Sequence, residues 1–179
     1  MLTDQFGNPV STRNRKALEA FDQAVSQFNV YRGDPIATID TALSEDPGFV
    51  MGHCFKAGLL ATTTEQAAEP AIKAAVEAAT QAAKHATDRE RMHIGAARAW
   101  ADRDFARAVM LYGEIVSEYP RDILALQIAH LGDFYLGQAP LLRDRPAQVL
   151  SVLSDDDPAR GIVLGMHAFG LEECGQYAQ

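Results

Sequence analysis

Between Arg89 and Pro120 the chain carries a spacing that few folds tolerate. Ala108, Tyr112 and Pro120 stand four and eight residues apart, and Met92, Gly95, Ala96 and Ala99 place small side chains one helical turn from larger ones, with Phe105 at the turn between them. This is the pattern of a helix–turn–helix unit of about 34 residues, in which close helix approach is set by small residues and the unit buries its apolar face only against a neighbour. A chain built of such units is a stack of helix pairs. It presents a surface to a partner rather than a constellation of reacting groups.

The register repeats along the chain. Leu126, Ala129, His130 and Asp133 fall 34 positions after the Met92 set, and Leu164, His167, Ala168 and Leu171 follow after a slip of four. Met51, Cys54, Phe55 and Gly58 precede it by 41, which places seven extra residues between the two units. Thr62, Thr63, Thr64, Glu65 and Gln66 read as the start of the next helix, which the excess makes long. Ten of the twenty positions from Ala67 to Ala86 are alanine, with Ile72 and Val76 as the bulkier anchors, a composition suited to tight helix packing.

Local signals set the remaining boundaries. Leu18, Phe21, Val25 and Phe28 share one helical stripe, with Ser11 as the expected cap and Gly33, Asp34 and Pro35 as the break. Ile36, Ile39, Ala42 and Leu43 give a second helix that Asp46 and Pro47 close, and a third is expected from about Pro47 to Ala61. Thr87 and Glu90 spell a capping box, so a helix begins there and ends near Asp102, with Phe105 to Glu118 as its partner. Gly137 ends a further helix, and Leu141 to Leu153 supplies another that contains Pro146. Asp155, Asp156 and Asp157 before Pro158 read as a cap of the last helix, or less readily as a calcium loop, for which the glycine-spaced oxygens are absent. Gly175, Gln176 and Tyr177 repeat the turn at Arg103, Asp104 and Phe105. The division expected is an N-terminal extension, 1–10, followed by one helical-repeat domain, 11–179, whose last helix is unpaired; the chain is then a piece of a longer stack, or a second copy covers that edge as a homodimer.

Bulk properties exclude several classes. The 179 residues are 47% hydrophobic and 22% charged, ordinary soluble usage, and His53 and Lys56 interrupt the longest apolar run, Phe49 to Ala61. A formal charge of −8 opposes phosphate backbones and anionic lipid, so neither nucleic acid nor membrane is an expected partner. Met1 to Val10 lacks the basic and apolar regions of a secretory signal, which makes a cytoplasmic location the expectation. Cys54 and Cys174, 120 positions apart in apolar helical patterns, suit buried free thiols.

The run from Pro47 through His53, the Asp88 to His93 segment DRERMH, FARAVMLYGEIVSEYPRDILAL from Phe105, FYLGQ from Phe134 and GMHAFGLEECGQY from Gly165 together resemble the tetratricopeptide repeat protein 38 family, in order and over nearly the whole chain. The resemblance implies an all-α tetratricopeptide-like solenoid of about nine helices in antiparallel pairs, without a defined activity to carry over. It also implies that the first helix of each pair lines a concave groove. By register, Phe49, Lys56, Glu90, His93, Trp100, Gln127, Phe134, Tyr135 and Phe169 fall in groove-facing slots, with Trp100 and Phe134 in the same slot of successive units. A peptide or protein is the partner such a groove would take. The same aromatics serve equally well as packing between helices.

Catalysis finds little support. The histidines do not converge in register, His53 and Cys54 are adjacent and so face apart on a helix, and no phosphate loop, serine elbow or HExxH is present. No enzyme activity, metal or cofactor is expected. The reading is a protein-interaction scaffold; the alternative is a structural or self-association domain supporting an enzymatic or metal-binding region absent from this chain.

Overall fold

The computed structural model describes residues 1–177. Among them a two-stranded antiparallel hairpin, β1 (Leu2–Thr3) and β2 (Pro9–Val10), precedes nine helices: α1 (Arg15–Asn29), α2 (Pro35–Glu45), α3 (Val50–Thr62), α4 (Glu69–Ala82), α5 (Asp88–Ala101), α6 (Phe105–Glu118), α7 (Ile123–Tyr135), α8 (Ala139–Leu150) and α9 (Arg160–Glu173). Consecutive helices pack on one another in pairs, α1 with α2, α3 with α4, α5 with α6 and α8 with α9, and α6 with α7. No helix of the described residues is long and apolar enough to cross a membrane.

The caps explain the boundaries. Thr87 Oγ1 accepts from the Glu90 amide (3.2 Å) while Glu90 Oε2 accepts from the Thr87 amide (2.7 Å), the reciprocal box expected at the start of α5. Asn14, not Ser11, caps α1, its carboxamide oxygen accepting from Lys16 and Ala17. Ser11 instead donates its amide and hydroxyl to Glu90 Oε1, at 2.9 and 3.0 Å, linking the hairpin to α5. Asp46 holds the turn before α3 through the Gly48 amide, which delays that helix from Pro47 to Val50. The expected long fourth helix is 14 residues, because Thr64 adopts φ 58° and a 3-10 turn, Gln66–Ala68, intervenes before Glu69. Helices α3 and α5 begin 38 positions apart and α5 and α7 35, so the excess is three residues rather than seven.

A repeated device closes every odd-numbered helix. Tyr31, Thr64, Arg103, Gly137 and Gly175 follow the ends of α1, α3, α5, α7 and α9 and all have positive φ, between 51° and 70°. This left-handed residue redirects the backbone so that orphan carbonyls of the last turn find donors, as Arg103 and Asp104 do by donating to Trp100 and Ala99. Glycine adopts the conformation freely, whereas each side-chain-bearing residue costs about 1 kcal/mol there.

Helix α7 occupies the centre, touching α1, α3, α6 and α8, and ten of its 13 residues are buried. Glycines set its distances: a Cβ on Gly58 of α3 would lie 2.4 Å from Ile128, and one on Gly132 of α7 2.3 Å from Val109. Because α1 reaches α7, the space between the first helices is filled by side chains, including the edge-to-face rings of Phe21, Phe49, Phe55 and Phe28.

The segment 1–10 is built into this core. Phe6 and Val10 are buried, and Arg121 Nε donates to the Phe6 carbonyl (2.8 Å). Beneath them Arg89 of α5 donates to Asp122 Oδ2 (2.7 Å), to Asp4 Oδ2 (3.3 Å) and to the Pro9 carbonyl (3.4 Å), and Asp122 Oδ2 also accepts from His93 Nε2 (2.7 Å). Burial alone would raise the Asp122 carboxyl, but His93 and Arg89 overcome it and hold it well below the usual range. Asp4, also buried, is raised by that burial against the pull of Arg89.

Helices α8 and α9 meet backbone to side chain. Pro146 inside α8 has no amide to offer the Leu142 carbonyl, four residues back. Against this stretch α9 sets one face: His167 Nδ1 bonds the Arg143 carbonyl (3.0 Å), the Cys174 thiol donates to the Ala139 carbonyl (3.3 Å), and Gly170 lies between them. A Cβ on Gly170 would stand 2.3 Å from the Leu142 carbonyl carbon and oxygen.

Two stability outcomes follow from this packing. Gly170→Ala should lower the unfolding free energy in urea by about 2 kcal/mol, because backbone and not a mobile side chain must yield, while Gly165→Ala, which meets nothing within 4 Å, should be neutral or stabilising. Arg89→Met should cost about 3–5 kcal/mol by leaving buried Asp4 and Asp122 without their cation. Equal midpoints for Gly170→Ala and Gly165→Ala, or an Arg89→Met protein as stable as the parent, would contradict these assignments.

Candidate functional site

The C-terminal end of α5, away from the charged network, borders a cavity of about 460 Å³. Trp100 and Ala101 approach it from α5, Ile72 from α4, Phe105 and Val109 from α6, and Gly132 and Tyr135 from α7, with Leu136 following. The Trp100 and Phe105 rings meet at 66° with centroids 5.9 Å apart. Tyr135 is anchored by its hydroxyl, which donates to the Thr62 carbonyl at the end of α3 (2.8 Å). Volume and apolar lining are those of a ligand-sized pocket.

Its rim is polar. Thr64, Glu65 and Gln66 belong to the connection after α3, Glu69 to the first turn of α4, and Arg103 to the turn between α5 and α6. Arg103 Nη2 donates to Glu69 Oε1 across the rim. Among the described residues Thr64 and Arg103 are two of the three non-glycine residues with positive φ, so the chain accepts backbone strain at the mouth where Gly137 and Gly175 avoid it elsewhere. Such strain clusters at binding sites because a needed side chain offsets its cost.

The structure distributes the predicted groove residues otherwise than a shared concave wall requires. Phe49, Glu90 and His93 are fully buried and Gln127 nearly so. Phe49 belongs to the phenylalanine core, Glu90 to the capping box and Ser11, His93 to Asp122, and Gln127 Nε2 donates to the Tyr31 hydroxyl (2.7 Å). None of the four is available to a partner, because α1 and α7 close over the face that the expected groove would expose. Lys56 is ion-paired with Asp40 at 2.6 Å. Trp100 is 92% covered yet its remaining surface borders the cavity, and Tyr135, 46% exposed, borders it too.

Trp100 and Phe134 do not form a ladder. Trp100 pairs with Phe105, whereas Phe134, 47% exposed, stacks near Tyr135 (6.0 Å) and Phe169 (5.6 Å) in a separate surface group beside α9. Two of the nine predicted residues thus meet at the cavity. Phe105, Leu136 and the rim residues were missed as site residues. The register signal that would have pointed to them is the extra length between the first two units, which the structure places in the connection 63–68, at the rim itself.

Cys54 lies in the core of α3, outside the cavity lining. Burial pushes the Cys54 thiol far above its ordinary value, so it is not a thiolate at neutral pH. Among the described residues no group of three or more His, Cys, Asp or Glu side chains is placed to hold a metal ion. No family model matches the chain, and no solved structure matches it.

His130 lies behind Phe169, ring centroids 5.8 Å apart, and its Nδ1 has no hydrogen-bond partner among the described residues. Burial lowers its pKa to about 4. The unfolded chain therefore takes up this proton near the ordinary pKa of about 6.5 before the folded chain does, and stability is lost as pH falls from there toward 4. Asp22, raised to about 6 by burial, has the opposite sign over an overlapping range, since its protonated form is favoured in the fold. His130→Leu isolates the imidazole: its stability should fall by about 2 kcal/mol less than the parent's between pH 7 and pH 4. Parallel pH curves from urea unfolding would refute this.

Proposed function

We propose that this chain is a non-catalytic binding module of tetratricopeptide-like helix pairs, and that it takes an anchor side chain of a partner polypeptide into the cavity beside Trp100. The observation carrying the reading is a ligand-sized apolar cavity with Trp100, Phe105 and Tyr135 at its walls, bordered by two turns whose left-handed residues, Thr64 and Arg103, keep side chains where glycine would be less strained. Aromatic residues in a partly desolvated pocket are the usual carriers of binding energy at polypeptide interfaces. The recurrent left-handed closure of α1, α3, α5, α7 and α9 supports the repeat reading, as does the small-residue spacing of α5 and α6. The kinship proposed is with the tetratricopeptide repeat protein 38 family, and the setting proposed is the cytoplasm.

A second reading is favoured by one observation. Only Val163, Met166 and Gly170 of α9 are buried, and Leu164 and Phe134 remain about half exposed. In that reading the domain serves structure or self-association and supports an enzymatic or metal-binding region outside this chain.

Trp100 is the sole tryptophan, so its emission reports on the cavity directly. Titration with short peptides bearing leucine, phenylalanine, lysine or arginine anchors should shift or quench it. Leu136→Ser, at an exposed wall position, should weaken the best of these about tenfold, the value of one apolar side-chain contact, without moving the unfolding midpoint. An emission spectrum unmoved by every peptide would remove the cavity reading, and self-association measured by sedimentation would then favour the second.

A further inference from the structure

The rim of the cavity narrows the chemistry of its occupant. Three charged side chains line it, Glu65, Glu69 and Arg103. Arg103 is already committed to Glu69, which leaves Glu65, exposed and without an ion-pair partner among the described residues, as the uncompensated charge. The chain as a whole carries −8, so the long-range field adds to the same sign. Directly inside this acidic mouth are aromatic rings, Trp100 and Phe105 set at a steep angle to each other and Tyr135 on the α7 side. A carboxylate would meet Glu65 and Glu69 on entry and would have to displace Glu69 from Arg103. A neutral apolar side chain would fill the cavity but leave Glu65 unanswered. A cation on an apolar stem uses every part of the site, because alkyl carbons lie against aromatic rings while the charge gains both the ring quadrupoles and the rim carboxylates.

We infer that the cavity selects a basic polypeptide segment, taking a lysine or arginine side chain whose stem lies on Trp100 and Phe105 and whose charge is held by Glu65 and Glu69. Arg103 is the internal counterpart of that ligand: its guanidinium on Glu69 is the contact the incoming cation shares or replaces. This inference rests on the binding reading above, and it adds the sign of the partner's charge and the carboxylates that read it.

The experiment uses the full chain, Trp100 emission, and three short peptides in which leucine alternates with lysine, glutamine or glutamate. The lysine peptide should bind about tenfold more tightly than the glutamine peptide, and the glutamate peptide should not shift the emission. Glu65→Gln should weaken the lysine peptide about fivefold relative to the glutamine peptide, as removal of one rim charge does. Glu172→Gln, an equal change of net charge on exposed α9 away from the cavity, should have no effect. Equal affinity for the lysine and glutamine peptides would overturn the cation preference while leaving the binding module intact. Equal weakening by Glu65→Gln and Glu172→Gln would also overturn it, because the attraction would then be diffuse rather than local. Silence with all three peptides would sink both readings together.

Discussion

Arg89 is a guanidinium almost wholly removed from water, and the fold is arranged so that this is affordable. Its charge is met by Asp122 at the head of α7 and by Asp4 of the hairpin, and Asp122 in turn caps α7 through the Ala125 amide and receives His93. One carboxylate thus starts the central helix, neutralises a buried cation and fixes the imidazole of α5. Buried charge is tolerated only when each partner is present. The network therefore ties together three segments that are distant in sequence, the hairpin, α5 and the head of α7.

That placement determines where open space is left between the helices. At the N-terminal end of α5 the charged groups, the hairpin and α1 fill the space between helices, so the inner face is core. At the C-terminal end of the same helix the neighbouring connection, 63–68, is longer than the turn at Asp102–Asp104 and stands off, and the cavity forms in the gap. Helix α5 is tied into the charged network at one end and sets the edge of its tryptophan against the cavity at the other. In the proposed binding role, a wall so supported is a preorganised surface, and affinity is not spent on ordering it.

The helices were largely legible because their signals are local. The Thr87 and Glu90 capping box gave the start of α5, and the spacing of Ala108, Tyr112 and Pro120 gave α6 with both of its ends. The hairpin was illegible: strands of two residues carry no periodicity, and Asp4, Gly7, Asn8 and Pro9 read as loop. Its order comes from Arg89 and Arg121, more than eighty positions away. Only Trp100 and Tyr135 of the candidate cavity were legible, for a related reason. Periodicity told which side of α3, α5 and α7 is special, but whether that side is groove or core depends on α1 reaching α7, a long-range closure that no single helix encodes. Trp100 and Tyr135 border the cavity because they sit beyond that closure, whereas Phe49, Glu90, His93 and Gln127 sit inside it.

The pairing of the hairpin with α5 and with the head of α7 has a consequence for the order of events during synthesis. Asp4, Phe6 and Asn8 are made well before their partners: Arg89, which donates to Asp4, lies 85 positions further on, and Arg121, which bonds Phe6 and Asn8, more than a hundred. Until then the first strands have no template and the helical pairs behind them lack their lid. The hairpin is thus completed only once the head of the central helix has been made, and its docking reports that this helix has arrived.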